Sequence, residues 1–279
     1  MTADRRAVAR RQTPDAPASA HELTCEIRAL DNVEELIASY QLRHQVYGAL
    51  GYLRCASASG LEIDEYDAFS IPFGAFDPTS GEMIGTLRLI TAEPQPHYDY
   101  LVHCVLAGFD DAELTLQAMA LPSHAFPSVI TDEIEQQIAA FNPEGFAVHE
   151  LSRTIVRPDH RGSGISRRLM ELGLAYASRS APAVLIGSCL PEHVPMYARY
   201  GYQRLPRTGL DHFASVGQTA HAVVCRTDVL PEPTGGHVAE LLRSMRSGAM
   251  AHTLQVAGDS HVLYRFATSR RPRRRTMEW

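Results

Sequence analysis

The chain has 279 residues, 45% hydrophobic and 21% charged, which excludes a disordered or membrane-embedded polypeptide and suits a soluble protein with one large core. Its net charge is −6, although the first twelve residues hold four Arg against one Asp and the last eleven hold five Arg against one Glu. The body is therefore acidic and reads as no nucleic-acid surface, while the absence of Lys excludes Schiff-base chemistry, lysine nucleophiles and the P-loop lysine.

Five widely spaced cysteines (Cys25, Cys55, Cys104, Cys189 and Cys225) form no C-x-x-C pair and read as reduced core thiols, not a disulfide frame or zinc site. No apolar run reaches membrane-spanning length and the Arg-rich start lacks an apolar core, so a cytoplasmic protein with no membrane span and no bound metal is expected.

In chain order, residues 1–20 are rich in Arg, Ala and Pro and read as a disordered arm. Residues 23–30 alternate as a strand. Asp31 with Glu34 makes a capping-box pattern opening a helix whose apolar face is Val33, Leu36, Ile37, Tyr40 and Tyr47. Residues 51–60 read as loop, and 71–76 and 83–91 as two strands joined by the turn at 77–81. Residues 93–145 form a long insert, a lid or pocket wall, with helical patterns at 112–119 and 131–141 separated by prolines. A strand at 147–156, a glycine turn and a helix with apolar residues Ile165, Leu169, Leu172 and Tyr176 follow. Residues 183–189 read as a buried strand, Pro191 as the first position of a helix that Gly201 ends, and 221–227 as another strand. A helix at 240–250 and an apolar segment at 261–267 complete the pattern. The fold class is mixed α/β (α+β): a single domain over 21–267, then a basic tail at 268–279 that could touch nucleic acid or an acidic partner but reads better as a solvated end.

The segment around Arg157, Arg161, Gly162, Ser163, Gly164, Ile165 and Ser166 joins a strand to a helix through a tight turn. Such a turn aims unpaired backbone N–H groups and the positive end of the helix dipole at one point, the arrangement that binds a phosphate. Arg157, Arg161, Arg167 and Arg168 add positive charge, with an Arg167–Glu171 pair at i, i+4 as the plainer reading of part of it. Cys189 and His193 could suggest a thiol nucleophile; a small buried thiol at a strand end is the preferred reading.

Arg161-Gly162-Ser163-Gly164-Ile165 in this setting resembles the acyl-donor loop R-x-x-G-x-G/A of the GNAT acyltransferase superfamily, with Ser166 in place of the last Gly or Ala. Tyr197-Ala198-Arg199-Tyr200-Gly201-Tyr202 resembles its Y-x-x-x-G-[FY] segment. Upstream, Arg43 to Tyr47, Leu50-Gly51-Tyr52, Glu62 to Asp67, Arg88 and Glu150 to Arg153 are similar in order to groups found in acyl-homoserine-lactone synthases and the related N-acyl amino acid synthases. Tyr52 stands where the lactone synthases usually have Trp, and the clear glycine loop also favours the N-acyl amino acid branch.

The resemblance implies a GNAT-like sheet flanked by helices and transfer of a fatty acyl group from acyl carrier protein or coenzyme A to the amine of an amino acid. It implies no permanently bound cofactor: acyl-ACP or acyl-CoA would be a substrate, its phosphopantetheine held at Arg157, Arg161, Gly162, Ser163, Gly164, Ile165, Ser166 and Arg168. Glu150 would take the amine's proton and Tyr197 would protonate the leaving thiolate. Arg43, Asp64, Asp67, Arg88 and Arg153 would form a charged network beside the acceptor, able to grip a carboxylate. Each has a structural alternative: Glu150 paired with Arg153 or Arg88, Tyr197 packed with its hydroxyl tethered, the network merely tying helix to sheet. Alternative functions are lactone synthesis from S-adenosylmethionine, acetyl transfer from acetyl-CoA, and non-catalytic acyl or pantetheine binding.

Overall fold

The computed structural model describes residues 22–53, 57–141, 144–206, 208–213, 218–257 and 260–266. The expected arm, the basic tail and Cys55 lie outside these residues. The elements are β1 (Glu22–Ala29), α1 (Val33–Leu50), β2 (Ser70–Phe76), β3 (Met83–Thr91), α2 (Pro96–Ala107), α3 (Ala112–Ala118) and α4 (Asp132–Ala139), then β4 (Ala147–Val156), α5 (Ile165–Ala177), β5 (Ala183–Cys189) and α6 (Val194–Ala198). The chain continues through β6 (Gln203–Arg204), β7 (Leu210–Phe213), β8 (Gln218–Arg226), α7 (Thr234–Arg246), β9 (Ala251–Ala257) and β10 (Ser260–Arg265).

Among the described residues these strands form one mixed sheet, ordered β6-β8-β5-β4-β3-β2-β1-β10-β9, with β7 also on β8. On one face α5 buries Ile165, Leu169 and Leu172 with Leu87 and Leu151 of the sheet. This is the helical spacing the sequence shows, and it makes α5 the central packing helix. Gly173 allows that approach, since a Cβ there would lie 2.7 Å from Leu151 Cδ2 and 2.9 Å from Leu87 Cδ2. On the other face the insert covers the sheet: Ile134 and Ile138 of α4 pack over Val184, Ile186, Ala220 and Ala222. Helix α2, which carries Leu101, Val102, Val105 and Leu106, packs with Leu36 and Tyr40 of α1.

Several expectations are corrected. The cap of α1 is Asn32, whose side chain accepts from the Glu35 N–H, and not Asp31. The insert contains a third helix, α2, with Pro96 in its first turn. Pro191 opens a 3₁₀ turn, Pro191–His193, that leads into the short α6. Helix α7 begins at Thr234, six residues before the expected 240. The final apolar segment is β10, which runs parallel to β1 and carries β9 beyond it.

Two features of β4 position the site. Strands β4 and β5 pair in parallel only from Ala147/Ala183 to Glu150/Ile186, then separate and leave a cleft. Beyond Glu150 the register of β4 on β3 also slips, because Ile155 faces Thr86 while Ser152 faces Arg88, so Arg153 and Thr154 together oppose Leu87. At this bulge Arg153 has φ 55, in the left-handed region that side-chain-bearing residues rarely adopt.

Candidate active site

The cleft holds a cavity of about 460 Å³ that runs from the glycine turn, at Arg161, Gly162, Gly164, Ile165 and Ser166, to Glu150 and Tyr197. Its apolar wall comes from α1 and β4, with Val46, Leu50, Ile155 and Val156. Its other wall comes from the end of β5, with Ser188 and Cys189.

The turn has the geometry of an anion site. Gly162 and Gly164 both have φ +83 with nothing within 4 Å of a Cβ, so conformation and not crowding demands glycine there. Gly164 is the N-cap of α5 and offers no side-chain cap, which leaves first-turn N–H groups of α5 available to a ligand. Ser166 lines the cavity, while Ser163 is exposed and donates to the His160 carbonyl at 2.6 Å. Arg161 lines this cavity and, with Arg157, a smaller one of about 230 Å³ beside α1. Arg157 pairs with Glu82 at 2.9 Å and Asp159 at 2.8 Å.

Arg168 does not line the cavity. It is buried and donates to Glu171 at 2.7 Å, with His237 at 3.0 Å, so it ties α5 to α7. Arg167 also pairs with Glu171, at 3.0 Å. These contacts correct the placement of Arg168 at the donor phosphate: its position three residues after Ile165 puts it on the packed face of α5.

Glu150 is 2% exposed. It is bonded to neither Arg88 nor Arg153; instead Oε2 accepts the Ser128 N–H at 3.0 Å and Oε1 accepts the Ser128 hydroxyl at 2.9 Å. Burial raises its pKa to about 7, against the opposing pull of the Ser128 bonds and of the Arg88 and Arg153 charges. Tyr197, half-buried, lines the cavity and packs edge-on to Tyr202 with centroids 5.3 Å apart. Burial raises its pKa, so it is a neutral phenol at neutral pH. Burial pushes the Cys189 thiol up to about 12, which makes it a poor nucleophile.

The charged network exists, and its arginines pair with its own acids. Arg43 grips Asp67 at 2.7 and 3.0 Å and also pairs with Glu62. Arg88 grips Asp64 at 2.5 and 2.8 Å and donates to Ser152 Oγ at 2.8 Å. Arg153 bonds Glu62 at 2.7 Å and Asp64 at 2.8 Å. Burial would raise both acids, but Arg153 and Arg43 hold Glu62 at about 2, and Arg88 and Arg153 hold Asp64 well below its usual value. Arg43, Asp64, Asp67 and Arg88 lie behind the cavity wall; of the network's residues only Arg153 lines the cavity, beside Ser152.

Sequence reasoning missed two members of this arrangement. Ser128 stands 22 residues before Glu150 in a proline-flanked stretch without periodicity, and no local signal marks it. Glu62 stands in the segment from Glu62 to Asp67 that carries the resemblance, between Leu61 and Ile63, and its place among the ion pairs is set by Arg43 and Arg153.

Among the described residues no helix is long and apolar enough to cross a membrane, and no cluster of His, Cys, Asp or Glu is arranged to hold a metal.

Residues 42–171 match the family model of the acetyltransferase (GNAT) domain. Comparison with the curated proteins finds no match. Among solved structures the fold is similar to FeeM, an N-acyl amino acid synthase from uncultured soil microbes: 19% identity over 72% of this chain and 90% of that one, TM-score 0.50. BjaI, a CoA-dependent acyl-homoserine lactone synthase, gives 16% identity, 78% and 90% coverage and a TM-score of 0.47. A structure from Lactobacillus plantarum gives 16%, 73% and 98%, and 0.42.

Proposed function

We propose that this chain, which carries a GNAT domain and is an acyltransferase of that type, moves a fatty acyl group from a phosphopantetheine thioester to the amine of an amino acid or a similar small molecule. The observation that carries this reading is the buried, near-neutral carboxylate of Glu150 at the inner end of a cavity whose other end is an anion-binding turn. The apolar wall of Val46, Leu50, Ile155 and Val156 suits an acyl chain, and the turn suits the phosphate of coenzyme A or of an acyl carrier protein.

In the reaction the amine nitrogen attacks the thioester carbonyl carbon and Glu150 accepts the proton that the nitrogen loses. The C–S bond then breaks and the thiolate takes a proton from the Tyr197 hydroxyl. A base near pH 7 is matched to this work. Backbone N–H groups at the β4 bulge are candidates to polarise the carbonyl oxygen.

Purified protein given acyl-ACP and acyl-CoA donors and a panel of amino acids should yield N-acyl products detectable by mass spectrometry. Glu150→Gln and Tyr197→Phe should each lower turnover by about 10²–10⁴-fold. Unchanged turnover in either variant refutes that assignment. A lactone product from S-adenosylmethionine, turnover confined to acetyl-CoA, or donor binding without turnover would each select one of the alternatives instead.

A further inference from the structure

The insert touches the reacting strand through a short turn. Val129 N–H donates to the Phe126 carbonyl at 3.1 Å, and Phe126 and Val129, each 4% exposed, are packed with Ile134 and Ile138 of α4. Between them Pro127 lines the cavity and Ser128, 1% exposed, turns both its donors onto Glu150. One residue therefore engages both oxygens of the carboxylate, and among the described residues no cation is bonded to it.

We propose that Ser128 is the positioning residue of the active site, fixing the orientation of the Glu150 carboxylate and setting how readily it accepts the proton of the amine. The inference rests on the reading of Glu150 as the base. An ionised carboxylate has about four acceptor positions. Ser128 occupies two, and those remaining are left for a proton arriving from the cavity. The other groups that face Glu150 are Arg88 on β3, Arg153 on β4, Tyr66 before β2, Tyr197 on α6 and Tyr202 after it. The three tyrosines are raised by burial and stay neutral, so the two arginines and Ser128 oppose the cost of burying the charge. Ser128 alone does so by contact, which makes the insert part of the catalytic apparatus as well as its cover.

The test is a titration of the full chain labelled with [δ-¹³C]glutamate, in which the Glu150 carboxyl resonance is identified by its loss in Glu150→Gln. In Ser128→Ala the midpoint should move up by about one unit, because the ionised form loses a donor while burial persists. Ser128→Thr should restore it. The acid limb of kcat/KM should move by the same amount in the same variants. Ser128→Cys, nearly isosteric and a weak donor, carries the same prediction should the alanine variant not fold. If Glu150→Gln abolishes turnover while the serine variants leave midpoint and limb in place, the positioning role is refuted. If Glu150→Gln leaves turnover intact, the base assignment fails instead.

Discussion

Replacing Glu150 by Gln should cost activity and gain stability, and the gain should depend on pH in a calculable way. The folded carboxyl titrates near 7, against an ordinary value of 4.5. Between these values folded Glu150 keeps a proton that the unfolded chain has released, so its contribution is fully present below the ordinary value and is lost as pH rises through about 7. From about pH 5 to about pH 8 the wild-type chain should lose about 2–3 kcal/mol of stability at this one site. The Gln variant carries no charge and loses none of this, although it gives up a hydrogen bond to Ser128 worth ~1 kcal/mol at every pH. Urea denaturation of both proteins across this range should show the variant slightly weaker at the acid end and about 2 kcal/mol stronger at the alkaline end. Stability curves that run parallel would refute the reasoning, because they would mean that Glu150 titrates as an ordinary carboxylate and that burial does not dominate its environment.

Arg88→Met should cost about 3–5 kcal/mol, since it leaves Asp64 without its bidentate partner inside a buried network. The double variant with Asp64→Leu should be less destabilised than the sum of its parts, which a double-mutant cycle in urea measures. Gly164→Ala meets no steric obstacle but must adopt φ +83, at about 1–2 kcal/mol. It should raise KM for the acyl donor with a smaller effect on thermal stability, and an unchanged KM would remove the turn from donor binding.

What the sequence could reveal was local. Spacing placed β4 and α5, while apolar runs bounded by turn residues placed β2, β3 and β5, which are buried on both faces. Helix α2 escaped because Pro96 reads as a breaker, although the first turn of a helix tolerates proline. The start of α7 escaped for the same reason, with Gly235 and Gly236 inside its first turn. The parallel pairing of β10 with β1 joins residues more than two hundred positions apart, and no local pattern encodes that. In the site, motif order singles out Glu150 and Tyr197, and both line the cavity. Arg168 was misplaced by charge reasoning although its phase with Ile165, Leu169 and Leu172 already put it on the buried face.

The network then needs its own account, since Arg43, Asp64, Asp67 and Arg88 do not line the cavity between the turn and Glu150. It contains three arginines and the three carboxylates Glu62, Asp64 and Asp67, so it can stay charged without attracting an ion from outside. With Glu62 held at about 2 and Asp64 lower still, both acids stay ionised at neutral pH, and neither can serve as a proton store there. Glu150 feels the charge of two of the same arginines but bonds to neither, and burial raises it to about 7 against their pull. What the network does hold is β4. Arg88 fixes Ser152, and the Glu62 and Asp64 contacts fix Arg153 in a left-handed conformation that would otherwise cost roughly 1–2 kcal/mol. The bulge beside Glu150 is therefore held from behind by ion pairs. An acceptor carboxylate that bound to Arg43 or Arg88 would have to displace a paired acid from a buried site. Under the proposed reaction, the residues left to meet the far end of an acceptor are those of the cavity's own wall, Ser152, Arg153, Tyr47 and Tyr52.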